Sequence, residues 1–170
     1  TWWISNANGT FSSVAFGTNG DIPTPGDYGG DGKADISVYR PAASAGQQGT
    51  WWIINSSGGA VSMVTFGVQG DVPVPGDYDG DGRDNIALYR PSTGFWYRST
   101  DASRNYDAVQ GGQTADRPVA GDYDGDGKAD PAVVRFGSSV MWHILGSTSG
   151  AQAHQFGSTG DQPAPGAYIP

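Results

Sequence analysis

Short apolar stretches of four to seven residues, rich in β-branched and aromatic side chains, alternate along the chain with runs of Gly, Pro, Asn, Asp and Ser. Ile36 to Arg40, Trp51 to Ile54, Ile86 to Arg90 and Ala132 to Arg135 are typical. Segments of this length bounded by turn formers read as strands. The pattern also repeats. An aromatic pair opens each unit, at Trp2-Trp3, Trp51-Trp52, Trp96-Tyr97 and Trp142-His143, with spacings of 49, 45 and 46 residues. Phe-Gly follows at Phe16-Gly17, Phe66-Gly67 and Phe156-Gly157, degraded to Gly111-Gly112 in the third copy. Then come Asp21, Asp71, Asp116 and Asp161, each two residues before a Pro, and a Gly-Asp-Tyr at Gly26, Gly76 and Gly121 that becomes Gly166-Ala167-Tyr168 at the end. A strand ending in Arg40, Arg90 or Arg135 closes the unit.

Each unit therefore predicts four short antiparallel strands in about 45 residues, the size of one propeller blade. The expectation is an all-β, β-propeller-like chain of about four blades, one of them incomplete and shared by the two termini. It is one repeat domain over 1–170, with units at roughly 1–20 (partial), 21–70, 71–115, 116–160 and 161–170 (partial). Pro73 and Pro75 fall in a first strand, and Pro cannot donate to a ladder, so that strand should pair only in part.

These motifs resemble the FG-GAP and VCBS repeat family over essentially the whole chain. The most specific stretch runs from Phe66-Gly67 through Gly76-Asp77-Tyr78 to Gly82. The resemblance implies propeller blades, calcium in the acidic loops, and a place in secreted or surface proteins as adhesins, lectin-like modules or appendages to enzymes. It fixes no single activity.

Composition sharpens the chemistry. All 17 acidic residues are Asp, and the net charge is −8. Eleven of these Asp lie in three loops after Gly-Asp-Tyr. The third loop places Asp122, Asp124, Asp126 and Asp130 at positions 1, 3, 5 and 9, with the Lys128 carbonyl at 7 and Gly127 at the turn. That spacing suits a hard, oxygen-preferring cation, calcium rather than magnesium. It is not an EF-hand, since position 12 is Val133 and a strand follows. The second loop offers Asp77, Asp79, Asp81, the Arg83 carbonyl and Asn85. The first offers Asp27, Asp31, the Lys33 carbonyl and Asp35, but Gly29 stands at position 3. Two strong sites and one weaker are expected. Carboxylates about 4–6 Å apart repel by about 1 kcal/mol per pair in water and by more at lower effective dielectric. A cation among them removes that cost, and its role is expected to be structural.

The remaining features exclude more than they assign. With two His, no Glu and no Cys, the chain offers no acid–base pair, activated nucleophile or zinc triad. A non-catalytic protein is expected. The acidic balance disfavours nucleic acid, and no apolar run reaches membrane-spanning length. The first residue is Thr, which is expected of a chain whose leader has been removed or of a fragment. A secreted or surface location is expected. The recurrent Arg should pair with an Asp of a turn, as a rim ion pair of modest value. The leading Trp of each aromatic pair should be core. Trp3, Trp52, Tyr97 and His143 form core or a carbohydrate platform, and His154 is a surface variation. Asn8-Gly9-Thr10 and Asn55-Ser56-Ser57 match a glycosylation pattern but read as polar turns. A final strand is expected from Gln162 to Ile169, leaving one strand missing and an edge open to self-assembly into a dimer or filament. The function expected is a calcium-stabilised structural or adhesive module. The alternatives are a lectin-like binder of surface glycans and an accessory domain of a larger secreted enzyme.

Overall fold

The computed structural model describes residues 1–5, 8–99 and 105–164. Among them there is no helix, and the strands form one two-stranded and three four-stranded antiparallel sheets. The chain divides into two compact units, Thr1–Gln69 and Gly70–Pro170, so the division coincides with an expected repeat boundary.

The first unit opens with a hairpin of β1 (Trp2–Ser5) and β2 (Phe11–Val14). A meander follows, β3 (Ile22–Pro23), β4 (Ile36–Arg40), β5 (Thr50–Ile54) and β6 (Ser62–Thr65), in the spatial order 3-4-5-6. The second unit repeats it twice. One sheet holds β7 (Val72–Pro73), β8 (Ala87–Arg90), β9 (Phe95–Ser99) and β10 (Tyr106–Gln110). The other holds β11 (Arg117–Pro118), β12 (Ala132–Phe136), β13 (Val140–Gly146) and β14 (Gly150–Gln155). Among the described residues no helix is long and apolar enough to cross a membrane.

The first strand of every meander has two residues. Its second residue is Pro, tolerated at a pair position where no N–H is needed, and one more backbone bond follows, from Thr24, Val74 or Val119 N–H to the Ser37, Ala87 or Ala132 carbonyl at 2.8–2.9 Å. An isolated bridge resumes pairing beyond, at Gly26–Asp35, Gly76–Asn85 and Gly121–Asp130, and the acidic loops hang between the bridged residues. The second and third strands are the buried ones. Tyr39 and Trp51 are register partners with ring centroids 5.2 Å apart, as are Tyr89 and Trp96. All four side chains are buried.

In the second unit both faces of a sheet carry core. Tyr78, Ala87, Tyr89 and Trp96 of one sheet meet Ala120 and Val133 of the next. Alternation along β12 turns Ala132 and Val134 to the other side, where they pack with Val119 and Val140. The expected final strand is not seen at 162–164, and 165–170, with Gly166-Ala167-Tyr168, lie outside the described residues.

Candidate metal centre

Each acidic loop is built on its first carboxylate. Asp27 accepts backbone N–H groups from Gly30, Asp31 and Gly32 at 2.6–3.1 Å. Asp77 takes the same three donors from Gly80, Asp81 and Gly82, and Asp122 takes them from Gly125, Asp126 and Gly127. Wrapping a chain around one carboxylate this tightly requires left-handed backbone at positions 4 and 6. Gly occupies both in every loop, with φ between 72° and 87°. The seventh residue is fixed through its amide, which donates to the carboxylate at position 5: Lys33 to Asp31, Arg83 to Asp81, Lys128 to Asp126. The Tyr at position 2 anchors the loop backwards. Its hydroxyl donates to the carbonyl four residues before it, Thr24, Val74 or Val119.

Position 9 points inward. Asp35 and Asp130 are buried, and each joins two segments of its own sheet. Asp130 accepts the Tyr123 N–H of its loop at 2.9 Å and the Ser147 N–H of the β13–β14 turn at 2.7 Å. Asp35 accepts Tyr28 and Gly29 N–H in its loop and Ser56 N–H from the β5–β6 turn. These hairpin turns are the part of the site that the sequence did not announce. Ser56 Oγ donates to Asp31. Ser147 and Thr148 hydroxyls donate to Asp126, and Thr148 and Ser149 N–H groups donate to Asp124. A serine-rich turn after the third strand, in units one and three, was the available signal. The corresponding residues of the β7–β10 sheet, 100–104, lie outside the described residues.

The donors alter the electrostatic expectation. The carboxylates do not face one another bare, because charge-assisted hydrogen bonds carry much of their negative charge. Ser147 and Thr148 hydroxyls and the Lys128 N–H pull the Asp126 carboxyl down to about 2. The N–H groups of Ser149 and Thr148 lower that of Asp124. Burial pushes Asp27 up, but its backbone donors outweigh that and its acidity is raised overall. Burial, with the charge of Asp130, pushes the Tyr123 hydroxyl up to about 12. A cation is therefore not the sole means of holding these loops together, as charge repulsion alone suggested.

Two of the three loops nevertheless gather carboxylates. One oxygen each from Asp77, Asp79 and Asp81 lies within 4.8 Å of the others, and the same holds for Asp122, Asp124 and Asp130. The sets differ from the expected spacing in physical ways. Asp126 is drawn to the turn hydroxyls. Asn85 spends its oxygen on Tyr78 N–H and turns its Nδ2 to Asp79 at 3.1 Å, so it offers the loop a donor rather than a ligand. In the third loop Asp124 Oδ1 is buried with no hydrogen-bond partner. An all-oxygen set with an orphaned anionic atom fits a hard cation.

The first loop is not among these sets. A side chain at Gly29 would collide with the Asn55 amide. In the third loop the two positions are exchanged: Asp124 stands where the first has Gly29, and Gly146 stands where the first has Asn55. The Asn55 Nδ2 thus takes the room of a position-3 side chain.

Elsewhere the recurrent Arg and Asp do meet. Arg40–Asp21, Arg90–Asp71 and Arg135–Asp116 are bidentate pairs with contacts of 2.7–3.0 Å. Their guanidinium ends are partly exposed, as in the rim pair expected, but the carboxylate ends are not. The carboxylates are 3, 0 and 1 % exposed, and Asp21 and Asp116 also accept the backbone N–H of Thr18 and Gln113 in their own turns. Of the aromatic pairs, Trp51 and Trp96 are buried and Trp142 is partly so. Of the second members, Trp3 alone is exposed, while Trp52, Tyr97 and His143 are half-buried. His154 is exposed and hydrogen-bonds Gln152. Asn8 and Asn55 accept from Thr10 and Ser57 two residues on, which makes both tripeptides side-chain-closed turns.

No protein-family model matches the chain, and no curated protein matches it. What fold and site define together is a class: an all-β chain of repeated four-stranded meanders, each carrying a glycine-hinged aspartate loop between its first two strands.

Proposed function

We propose that this chain is a non-catalytic, calcium-stabilised structural or adhesive module of the FG-GAP and VCBS type, working outside the cell, with its sheets as blades of a propeller. Calcium sits at Asp77, Asp79 and Asp81 and at Asp122, Asp124 and Asp130. The observation that carries the reading is the convergence of three carboxylates within 4.8 Å in each of two loops, with the Asp124 oxygen left without a donor. The role is structural because each loop bridges strands of one sheet, so binding free energy becomes folding free energy. The hairpin edge that is unpaired among the described residues supports assembly with further polypeptide.

The glycan alternative has less support. Trp52 and Tyr97, expected in its platform, lie under the guanidinium groups of Arg40 and Arg90 and are not open rings.

Equilibrium dialysis and thermal melting test the proposal. Two calcium ions per chain are expected, with a midpoint that rises with calcium. At a free concentration a hundredfold above Kd, one site adds about 2.7 kcal/mol. A melting temperature identical in excess chelator and in millimolar calcium would overturn it.

A further inference from the structure

Among the described residues β1 is paired on one side only, with β2. In the repeat, Trp2-Trp3 of β1 correspond to Trp51-Trp52 of β5 and Trp96-Tyr97 of β9. On the side where β1 is open, β5 and β9 each carry a second strand, β4 or β8, and that strand treats the aromatic pair in a fixed way. Its Tyr packs on the first ring at 5.2 Å, Tyr39 on Trp51 and Tyr89 on Trp96. Its Arg lies over the second ring, Arg40 at 5.5 Å from Trp52 and Arg90 at 4.2 Å from Tyr97. Trp2 and Trp3 have neither partner among the described residues, and Trp3 is 78 % exposed.

A cleft of about 540 Å³ opens beside them, lined by Trp2, Trp3, Phe16, Gly17, Pro23 and Val38. In the second unit the comparable face of a following sheet is covered. Ala87 and Tyr89 of a second strand meet Val133, the repeat equivalent of Val38, in one buried cluster. The cleft is therefore shaped as the seat of a second strand.

We propose that the open edge of β1 receives an extended polypeptide segment of pattern aliphatic–aromatic–arginine. It pairs antiparallel with β1, sets its aromatic ring against Trp2 in the cleft and lays its guanidinium over Trp3. The donor is a segment outside a finished sheet. This chain's own copies, Val38-Tyr39-Arg40 and Leu88-Tyr89-Arg90, are interior strands, so a second folded copy has none to give. Strand addition supplies backbone affinity, and the two aromatics supply selectivity. The inference deepens the assembly part of the reading above and is independent of calcium.

The probe is a capped synthetic peptide with the sequence of residues 35–41, titrated into the isotopically labelled intact chain. The expected result is saturable amide shifts and slowed exchange at residues 2–5. Arg40→Ala in the peptide, or Trp3→Ala in the chain, weakens binding by about two- to thirtyfold. Trp3 is exposed, so that variant keeps its fold. Equal binding of a scrambled peptide, or no response at residues 2–5 at millimolar peptide, overturns the proposal. So does a dimer, seen by light scattering, that the peptide fails to dissociate, because a second copy then holds the edge. A chain that takes the peptide but binds no calcium retains this inference and loses the preceding one.

Discussion

Replacing Arg135 by Ala removes the partner of a buried carboxylate and leaves the carboxylate in place. Asp116 is 1 % exposed and accepts Nε and Nη2 of Arg135, both at 2.8 Å, together with the Gln113 N–H at 2.8 Å. Without the guanidinium one backbone donor remains. Breaking a buried pair from one side costs about 3–5 kcal/mol. Arg135 is 34 % exposed, so water reaches the vacated space and the low end, about 3 kcal/mol, is expected. Arg135→Lys should recover only part, since an ammonium cannot reproduce the two-pronged contact. The sign with pH is also fixed. Burial raises the Asp116 carboxyl, but Arg135 and the Gln113 N–H outweigh burial and hold it below its ordinary 3.8. In the parent chain this stabilisation is complete above the unfolded value near 3.8 and is lost as pH falls through the lower folded value. In Arg135→Ala burial dominates and the carboxyl rises above 3.8, so acid relieves that variant before it harms the parent. Urea denaturation followed by Trp fluorescence at pH 7 and near pH 3.5 measures this. A loss under about 1 kcal/mol at pH 7, or a loss that does not shrink on acidification, would refute the reasoning.

Gly94→Ala should be severely destabilising. Its φ is +74° and the new methyl would fall on the Gly112 carbonyl, so strain and overlap together cost about 2–6 kcal/mol; a urea midpoint within about 1 kcal/mol of the parent contradicts this. Gly29→Asp alone should leave calcium stoichiometry at two, because Asn55 fills the position-3 space, whereas Gly29→Asp with Asn55→Gly should raise it to three. Equilibrium dialysis reads both, and a third ion with the single substitution removes the argument from Asn55.

Much of the fold was legible because the repeat fixes homologous positions. Arg40, Arg90 and Arg135 lie 19 residues after Asp21, Asp71 and Asp116, and one sheet register explains all three pairs. The strand order followed from the same regularity. Burial of those carboxylates was not legible, since it depends on what packs over the foot of each sheet. The loops were legible only in their own residues. Asp31, Asp35, Asp124, Asp126 and Asp130 take donors from turns 17–25 residues downstream, and no local spacing rule reaches that far. The exchange of Asp124 with Gly146 for Gly29 with Asn55 becomes meaningful only when strand pairing brings those positions side by side.

The architecture also explains how a cation would act on stability. The first strand of each meander has a two-residue ladder and one further backbone bond beyond its Pro, little to hold it alone. Three contacts make up the deficit: the Asp–Arg pair before it, the Tyr hydroxyl returning to its carbonyl, and the bridge that closes the aspartate loop. The loop is thus the hinge pin between the first and second strands, and in the β3–β6 and β11–β14 sheets its position-9 residue, Asp35 or Asp130, reaches the turn between the third and fourth. An ion drawn to Asp122, Asp124 and Asp130 would tighten all of these at once. The energy of binding then feeds the folding of the sheet that carries the loop.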